Sequence, residues 1–217
     1  AVNVCFEGRV KEIWDNHYHH VEIEDGNVIQ AVPYDMFVAG KDGKGISVLR
    51  LWSARAPEFD MKSFNQGDFM RSMERQAMAE VICKVLYPAD DHAEGKSLRL
   101  KQQYFLVSAS VQDIVSRHLR HYGTMENFAE CNAIHINDTH PALCTPELMR
   151  ILVDEYFYSW DRAWSMVTRI CSYTNHTVMS EALERWSEWL FEEQLPRIYA
   201  ITKEINRRLV EQLNAFY

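Results

Sequence analysis

Apolar and polar residues alternate along the first quarter of the chain. "VNVCFEGRV" and "HYHHVEIEDG" place apolar side chains at every second position, the period of a half-buried strand. "NVIQAVPYD" is a buried-strand run that closes on an expected Pro33-Tyr34-Asp35 turn. "KDGKG" carries the residues of a hairpin turn, and "ISVLRLWSA" resumes the extended pattern. Residues 1–56 are therefore expected to form an antiparallel meander.

After "APEFDMKSF" the texture changes. Met, Ala, Glu and Arg fill "GDFMRSMERQAMAEVICKVLYP", which predicts a helix with Asn65 as its N-cap and Pro88 beyond its end. The polar loop "PADDHAEGKS" comes next. "LRLKQQYFLVSASVQDIVSRHLRHYG" then predicts a long helix stopped by Gly123. "AIHI" reads as a short strand and "NDTHP" as a turn with capping residues. Further helices are expected over "PELMRILVDEY", "SWDRAWSMVTRICSY" (capped by Ser159 or Asp161), "EALERWSEWLFEEQ" and "PRIYAITKEINRRLVEQLNAFY". The last has Pro196 in its first turn. The expected class is α/β, with a β-rich first quarter followed by helices with short strands. In open α/β sheets ligands sit at the carboxyl ends of strands, where polar loops start helices. "AIHI" feeding "NDTHP" fits that habit, and "RICSY" feeding "TNHT" is a second case.

Composition narrows the function classes. The chain has 217 residues, enough for one large domain or two small ones, and 47% of them are hydrophobic, enough for a core. A net charge of -8 argues against the basic face of a nucleic-acid binder. No apolar run approaches the roughly 20 residues of a membrane span. The chain begins at Ala1, without an initiator Met, and opens directly into strand-like sequence, so its ends are expected to be cut from something longer. Five scattered cysteines with no CxxC read as buried free thiols in a reducing cytosol. The His residues are dispersed, and "HYHH" at 17–20 alternates like a strand. With no HExxH and no facial triad, no metal is assigned.

The candidate chemistry lies in two junctions. "YTNHT" sets Thr174, Asn175, His176 and Thr177 in a row after an apolar run, a poor helix and a poor strand because such side chains bond their own backbone. Such a cluster is either a cap or a site. In "INDTHP", Asp138 and Thr139 before Pro141 are explained by capping the next helix, but Asn137 and His140 are not. Thr177 with Glu181, or Ser180 with Glu184, would also serve as caps. Two strand-to-helix junctions, each with an Asn and a His, point to a shared polar pocket. Asp90, Asp91, His92 and Glu94 form either a solvated acidic loop or a mobile gate whose carboxylates bond sugar hydroxyls.

"AVPYD", "LRLWSA", "YPADDHAEGKSLRLKQQYF", "INDTHPAL", "PELMRILVDE" and "YTNHTVMSEALERW" follow one another in the order found in the α-glucan phosphorylases of glycogen, starch and maltodextrin, and the chain resembles that family over essentially its whole length. The family is about four times longer. The resemblance implies the middle and later part of its N-terminal catalytic domain, of the two-domain glycosyltransferase type called GT-B. On that basis the chain is one partial domain: a β-meander segment at 1–56, a tower-like helix at 65–87 and a helical α/β segment at 88–217. The implied reaction uses inorganic phosphate to release glucose 1-phosphate from the non-reducing end of an α-1,4-glucan, with pyridoxal phosphate as cofactor.

The resemblance implies roles residue by residue. His176, the implied catalytic residue, matches the histidine that bonds the glucosyl unit, with Asn175 beside it in the substrate pocket. Asp90 and Asp91 fall in the gate loop, where Asp91 departs from the more usual Asn. Asp138 and His140 line the pocket beside the glucose, and Glu181 and Glu184 match carboxylates near the same wall. Residues 66–84 match the tower helix of a homodimer interface. Phe37, Ala39 and Ser180 stand where proline is usual, which alters turns and not chemistry. The cofactor lysine lies in a part of the family's sequence that this chain does not cover, so no cofactor is expected on these 217 residues and phosphorolysis is not expected from them alone. Cytoplasmic location is implied. A reading from another class is a stand-alone carbohydrate-binding or interaction module.

Overall fold

The computed structural model describes residues 1–15, 18–59, 61–180 and 183–216. The chain divides into two compact units: Ala1–Cys5 with Val28–Ala109, and Phe6–Asn27 with Ser110–Tyr217. No helix among the described residues is long and apolar enough to cross a membrane.

The first unit is built on strands β1 (Val2–Phe6), β4 (Asn27–Ala39) and β5 (Ile46–Arg55), in the order β1-β4-β5. This differs from a simple meander: β4 lies between β1 and β5, while β2 (Arg9–Asp15) and β3 (Tyr18–Glu24) pair with each other in the second unit. The expected turn at Pro33-Tyr34-Asp35 is absent. β4 runs straight through it, because Pro33 and Asp35 are held in a ladder opposite Trp52 and Arg50. The Arg50 guanidinium donates twice to the Asp35 carboxylate at 2.6 Å. "KDGKG" does turn the chain, closed by Gly40 N–H donating to Gly45 O at 2.8 Å. Beyond the paired charges the ribbon is apolar and open: Met36, Phe37, Val38, Ile46, Val48 and Leu49 are all exposed.

Helix α1 spans Met61–Asn65 and α2 spans Phe69–Lys84. The cap of α2 is Asp68, which accepts from Arg71 N–H, and not Asn65, which ends α1. α2 packs on β5 with Ser72, Ala79 and Ile82 buried. Gln76 and Cys83 bond the backbone at Ala56 and Trp52. α3 (Ala93–Tyr122) starts inside the expected polar loop, because His92 Nδ1 accepts from Gly95 N–H at 2.9 Å and caps its first turn. Gly95 is required there: a Cβ would stand 1.7 Å from the Ala89 carbonyl oxygen.

In the second unit α3 ends at Gly123, whose φ of 72° suits glycine. Buried His118, near the end of α3, ties down the segment from Thr124 to Asn132. Its Nδ1 accepts from Asn132 Nδ2, so Nε2 carries the proton and donates to Thr124 O at 2.9 Å. That network holds α4 (Phe128–Cys131), a single turn too short for periodicity to reveal. Next come β6 (Ile134–Asn137), α5 (Cys144–Arg150), a π-helical turn (Ile151–Glu155), α6 (Trp160–Ile170), β7 (Cys171–Thr174), α7 (Glu188–Gln194) and α8 (Pro196–Phe216).

Ser159 caps α6 and Pro196 opens α8, as expected. The helix expected over 181–194 is shorter: residues 183–187 are not helical, and Ser187 caps α7 by accepting from Leu190 N–H. α5 packs against α6 and α8, and Leu148, Ala163, Ile198 and Ile201 on these three helices are nearly inaccessible. Each of the larger side chains contributes roughly 2 kcal/mol on burial. Buried Glu147 is bonded by Arg150, and buried Asp154 by Arg197 at 2.7 and 2.8 Å. The charges inside this helical layer are thus paired, as burial demands.

Candidate functional site

β6 and β7 run parallel, in register from Ile134 opposite Cys171 to Asn137 opposite Thr174. Strand alternation sorts β6: Ile136 is buried, while His135 and Asn137 lie exposed on the other face. The ladder extends one residue beyond the strand, with Asp138 N–H donating to Thr174 O at 2.7 Å. Both junction motifs therefore emerge side by side from the carboxyl ends of two parallel strands. The thiols at the starts of β7 and α5 also meet. Hydrogen bonding to Cys171, together with burial, pushes the Cys144 thiol far up.

Asp138 has a φ of 80°. Its carboxylate folds back to accept from Thr139 N–H at 2.7 Å and from the Thr139 hydroxyl at 3.3 Å. It does not cap α5, which starts at Cys144 without a side-chain cap. The capping reading of "NDTHP" is thereby overturned. The Thr139 N–H first, then its hydroxyl and the nearby His140 and His176 imidazoles, hold the Asp138 carboxyl below the usual aspartate range, against a smaller opposing effect of partial burial.

Opposite, His176 Nε2 meets Asn137 Oδ1. Asn175 turns onto its own backbone, its Oδ1 accepting from Thr177 N–H at 3.0 Å. His135 Nε2 bonds Thr174 Oγ1 at 2.7 Å.

The structure thus gathers Asn137, Asp138, His140, Asn175 and His176 at one strand-end surface. Asp138 and His140 are half-buried, and Asn137, Asn175 and His176 exposed. Glu184 is half-buried, and Glu181 lies outside the described residues. Asp90 and Asp91 are exposed and belong to the first unit, before α3. Among the described residues no group of three or more His, Cys, Asp or Glu could hold a metal ion; His17 of "HYHH" lies outside them. None of the five cysteines forms a disulfide, but only Cys144 is buried and Cys131 is exposed, where burial of all five was expected.

Sequence reasoning left two participants unassigned. Asn137 stood in its motif without a role, and His135 was not singled out. The period of two in "IHIN" is the signal that puts them on one face.

The site offers a carboxylate, imidazoles and carboxamides within reach of one another, and these suit a ligand rich in hydroxyls. The architecture is α/β, and the site lies where open α/β folds bind ligands. The chain belongs to the carbohydrate phosphorylase family, which it matches over residues 1–217. It is 47% identical over 214 residues to a glycogen phosphorylase of Pasteurella multocida, covering 98% of this chain and 25% of that protein. It is 45% identical over 223 residues to the brain form of glycogen phosphorylase from Mus musculus, covering 99% of this chain and 26% of that one. An alpha-1,4 glucan phosphorylase L-1 isozyme of Solanum tuberosum is 46% identical over 215 residues, which cover 97% of this chain and 22% of the isozyme. The chain thus spans about a quarter of the length of these relatives.

Proposed function

We propose that these residues form the glucose-binding wall of an α-glucan phosphorylase, within the N-terminal domain of a GT-B architecture. The whole enzyme would transfer the terminal glucosyl unit of an α-1,4-glucan to inorganic phosphate, in the cytoplasm, as a homodimer joined through residues 66–84. The observation that carries the reading is the convergence of Asp138 and His140 with Asn175 and His176 at the ends of β6 and β7. Every sugar hydroxyl both donates and accepts, and a neutral imidazole offers one group of each kind. In this reading His176 bonds the glucosyl unit. Asp138, His140 and Asn175 line the pocket, Glu181 and Glu184 stand on the same wall, and Asp90 and Asp91 act as a gate.

Pyridoxal phosphate would supply acid–base chemistry through its phosphate group. Several cations of the described residues are already committed to other partners. Arg50 is paired with Asp35, Arg150 with Glu147 and Glu155, Arg197 with Asp154, and Arg207 and Arg208 with Glu204. Lys11 is paired with Glu24, and Lys203 lies over the Tyr199 ring. On the family resemblance, we assign the cofactor to parts of the enzyme outside these 217 residues.

The test is His176→Ala in a polypeptide of the relatives' full length carrying this sequence. Losing one or two hydrogen bonds, and no nucleophile, should lower kcat/KM for phosphorolysis by about 10- to 1000-fold. An unchanged kcat/KM would refute the role.

A further inference from the structure

We infer that Asn137 is a positioning residue. Its carboxamide oxygen holds the His176 imidazole in the Nε2–H tautomer and presents Nδ1 as a hydrogen-bond acceptor toward the sugar. The inference rests on the reading of His176 as a sugar contact.

The backbone makes Asn137 the fixed partner. It is the last residue of β6, paired in register with Thr174, and the next residue is tied to the same Thr174 by the Asp138 N–H bond. Its side-chain direction is set by that ladder. His176 lies two residues beyond the end of β7, exposed, in a stretch shaped by the Asn175–Thr177 turn. Burial does not orient this ring, and the contact with Asn137 Oδ1 does.

The chemistry of the contact fixes the proton. A carboxamide oxygen only accepts, so the ring nitrogen facing it must carry hydrogen, and a neutral imidazole has one such hydrogen. Nδ1 is then a bare lone pair that accepts from an O–H. A carboxylate at position 137 would also take the Nε2 hydrogen, but it would favour the imidazolium, in which Nδ1 carries hydrogen and accepts nothing. Asparagine there orients the ring without charging it. Among the described residues the other ionisable groups placed at this strand-end surface are Asp138, His140 and His135; Glu181 and Glu184 of the proposed wall are likewise left in place by a change at Asn137. The Asp138 carboxylate is bonded to Thr139 and also interacts electrostatically with the His140 and His176 imidazoles, and His135 is bonded to Thr174. All three are unchanged in the Asn137 variants, so differences among those variants report position 137.

The experiment uses a polypeptide of the relatives' full length carrying this sequence, with ¹⁵N-labelled histidine. His176→Gln identifies the His176 ring signals by their loss. Wild type should show a protonated Nε2 and a bare Nδ1. Asn137→Leu should show mixed tautomers and a kcat/KM for maltoheptaose about tenfold lower, mostly through KM. Asn137→Asp should move the acidic limb of the kcat/KM–pH profile upward by about one unit or more. A purely structural role for Asn137 would leave that limb in place. A protonated Nδ1 in wild type overturns the inference, and so does an unmoved limb in a folded Asn137→Asp protein. Unchanged kcat/KM in His176→Gln would instead overturn the sugar role of His176, and with it the catalytic consequence, whatever the tautomer. The wild-type tautomer is read without any variant at position 137, so a variant that fails to fold leaves the inference open to refutation.

Discussion

Asp138 sits in a backbone region that few side chains tolerate, and its short carboxylate makes the position workable by bonding Thr139. Its depressed pKa has a thermodynamic consequence. The stabilisation is present above the unfolded-state pKa and is lost as pH falls through the folded-state value. Asn tolerates the same φ and keeps an acceptor, so Asp138→Asn isolates the charge. The mutant should melt below wild type at neutral pH, and the gap should close as pH falls through and below the ordinary aspartate range. A gap of equal size at neutral pH and below that range would contradict the assignment. The motif "NDTHP" announced unusual chemistry because capping accounted for only part of it. The partnership of Asn137 with His176 was hidden, because the two residues are separated by 39 positions and meet only through a long-range ladder.

α2 shows what periodicity reveals and what it does not. Its apolar positions predicted a helix, and Gln76, Ala79 and Ile82 account for the face toward β5. Met70 and Met73 are 82% and 63% exposed, and Ala77 and Val81 continue the same strip in the open. Such a strip fits an isologous contact with a second copy. Met73→Glu combined with Ala77→Glu, in the polypeptide of full length, should convert a dimer to a monomer by sedimentation. A dimer that survives both charges would exclude this face. Helix ends were legible where a local device sets them, as at Ser159, Pro196 and Gly123. They were misread where a nearby competitor captured the backbone: Asp68 in place of Asn65, and Ser187 in place of a cap near Ser180. Strand order was not legible, because placing β4 between β1 and β5 is a choice among distant partners.

For the chain as a whole, long motifs in a fixed order disclosed the family, a signal that no single element carries. The same breadth sets a limit on activity. Phosphorolysis must hold inorganic phosphate beside a developing glucosyl cation and protonate a leaving oxygen. Many arginines of the described residues are tied to carboxylates, and the net charge is -8. The chain alone, incubated with maltoheptaose, phosphate and pyridoxal phosphate, should release no glucose 1-phosphate and show no imine absorbance. Sustained turnover, or one imine per chain, would place the chemistry here after all.

The β4–β5 ribbon has a consequence of its own. Most strands declare which side faces water, so a slip by one position would carry oily groups into the open and be rejected. Here Met36, Phe37 and Val38 are oily in succession, and so are Val48 and Leu49 across from them. Within this outer half a slip would exchange one greasy surface for another at small hydrophobic cost, whereas the buried Ala31–Ala54 pair resists it at the other end. In the outer half, counting is left to the Asp35–Arg50 pair and to the closure between Gly40 and Gly45. Along this oily stretch, two charges and a turn keep the strands in step.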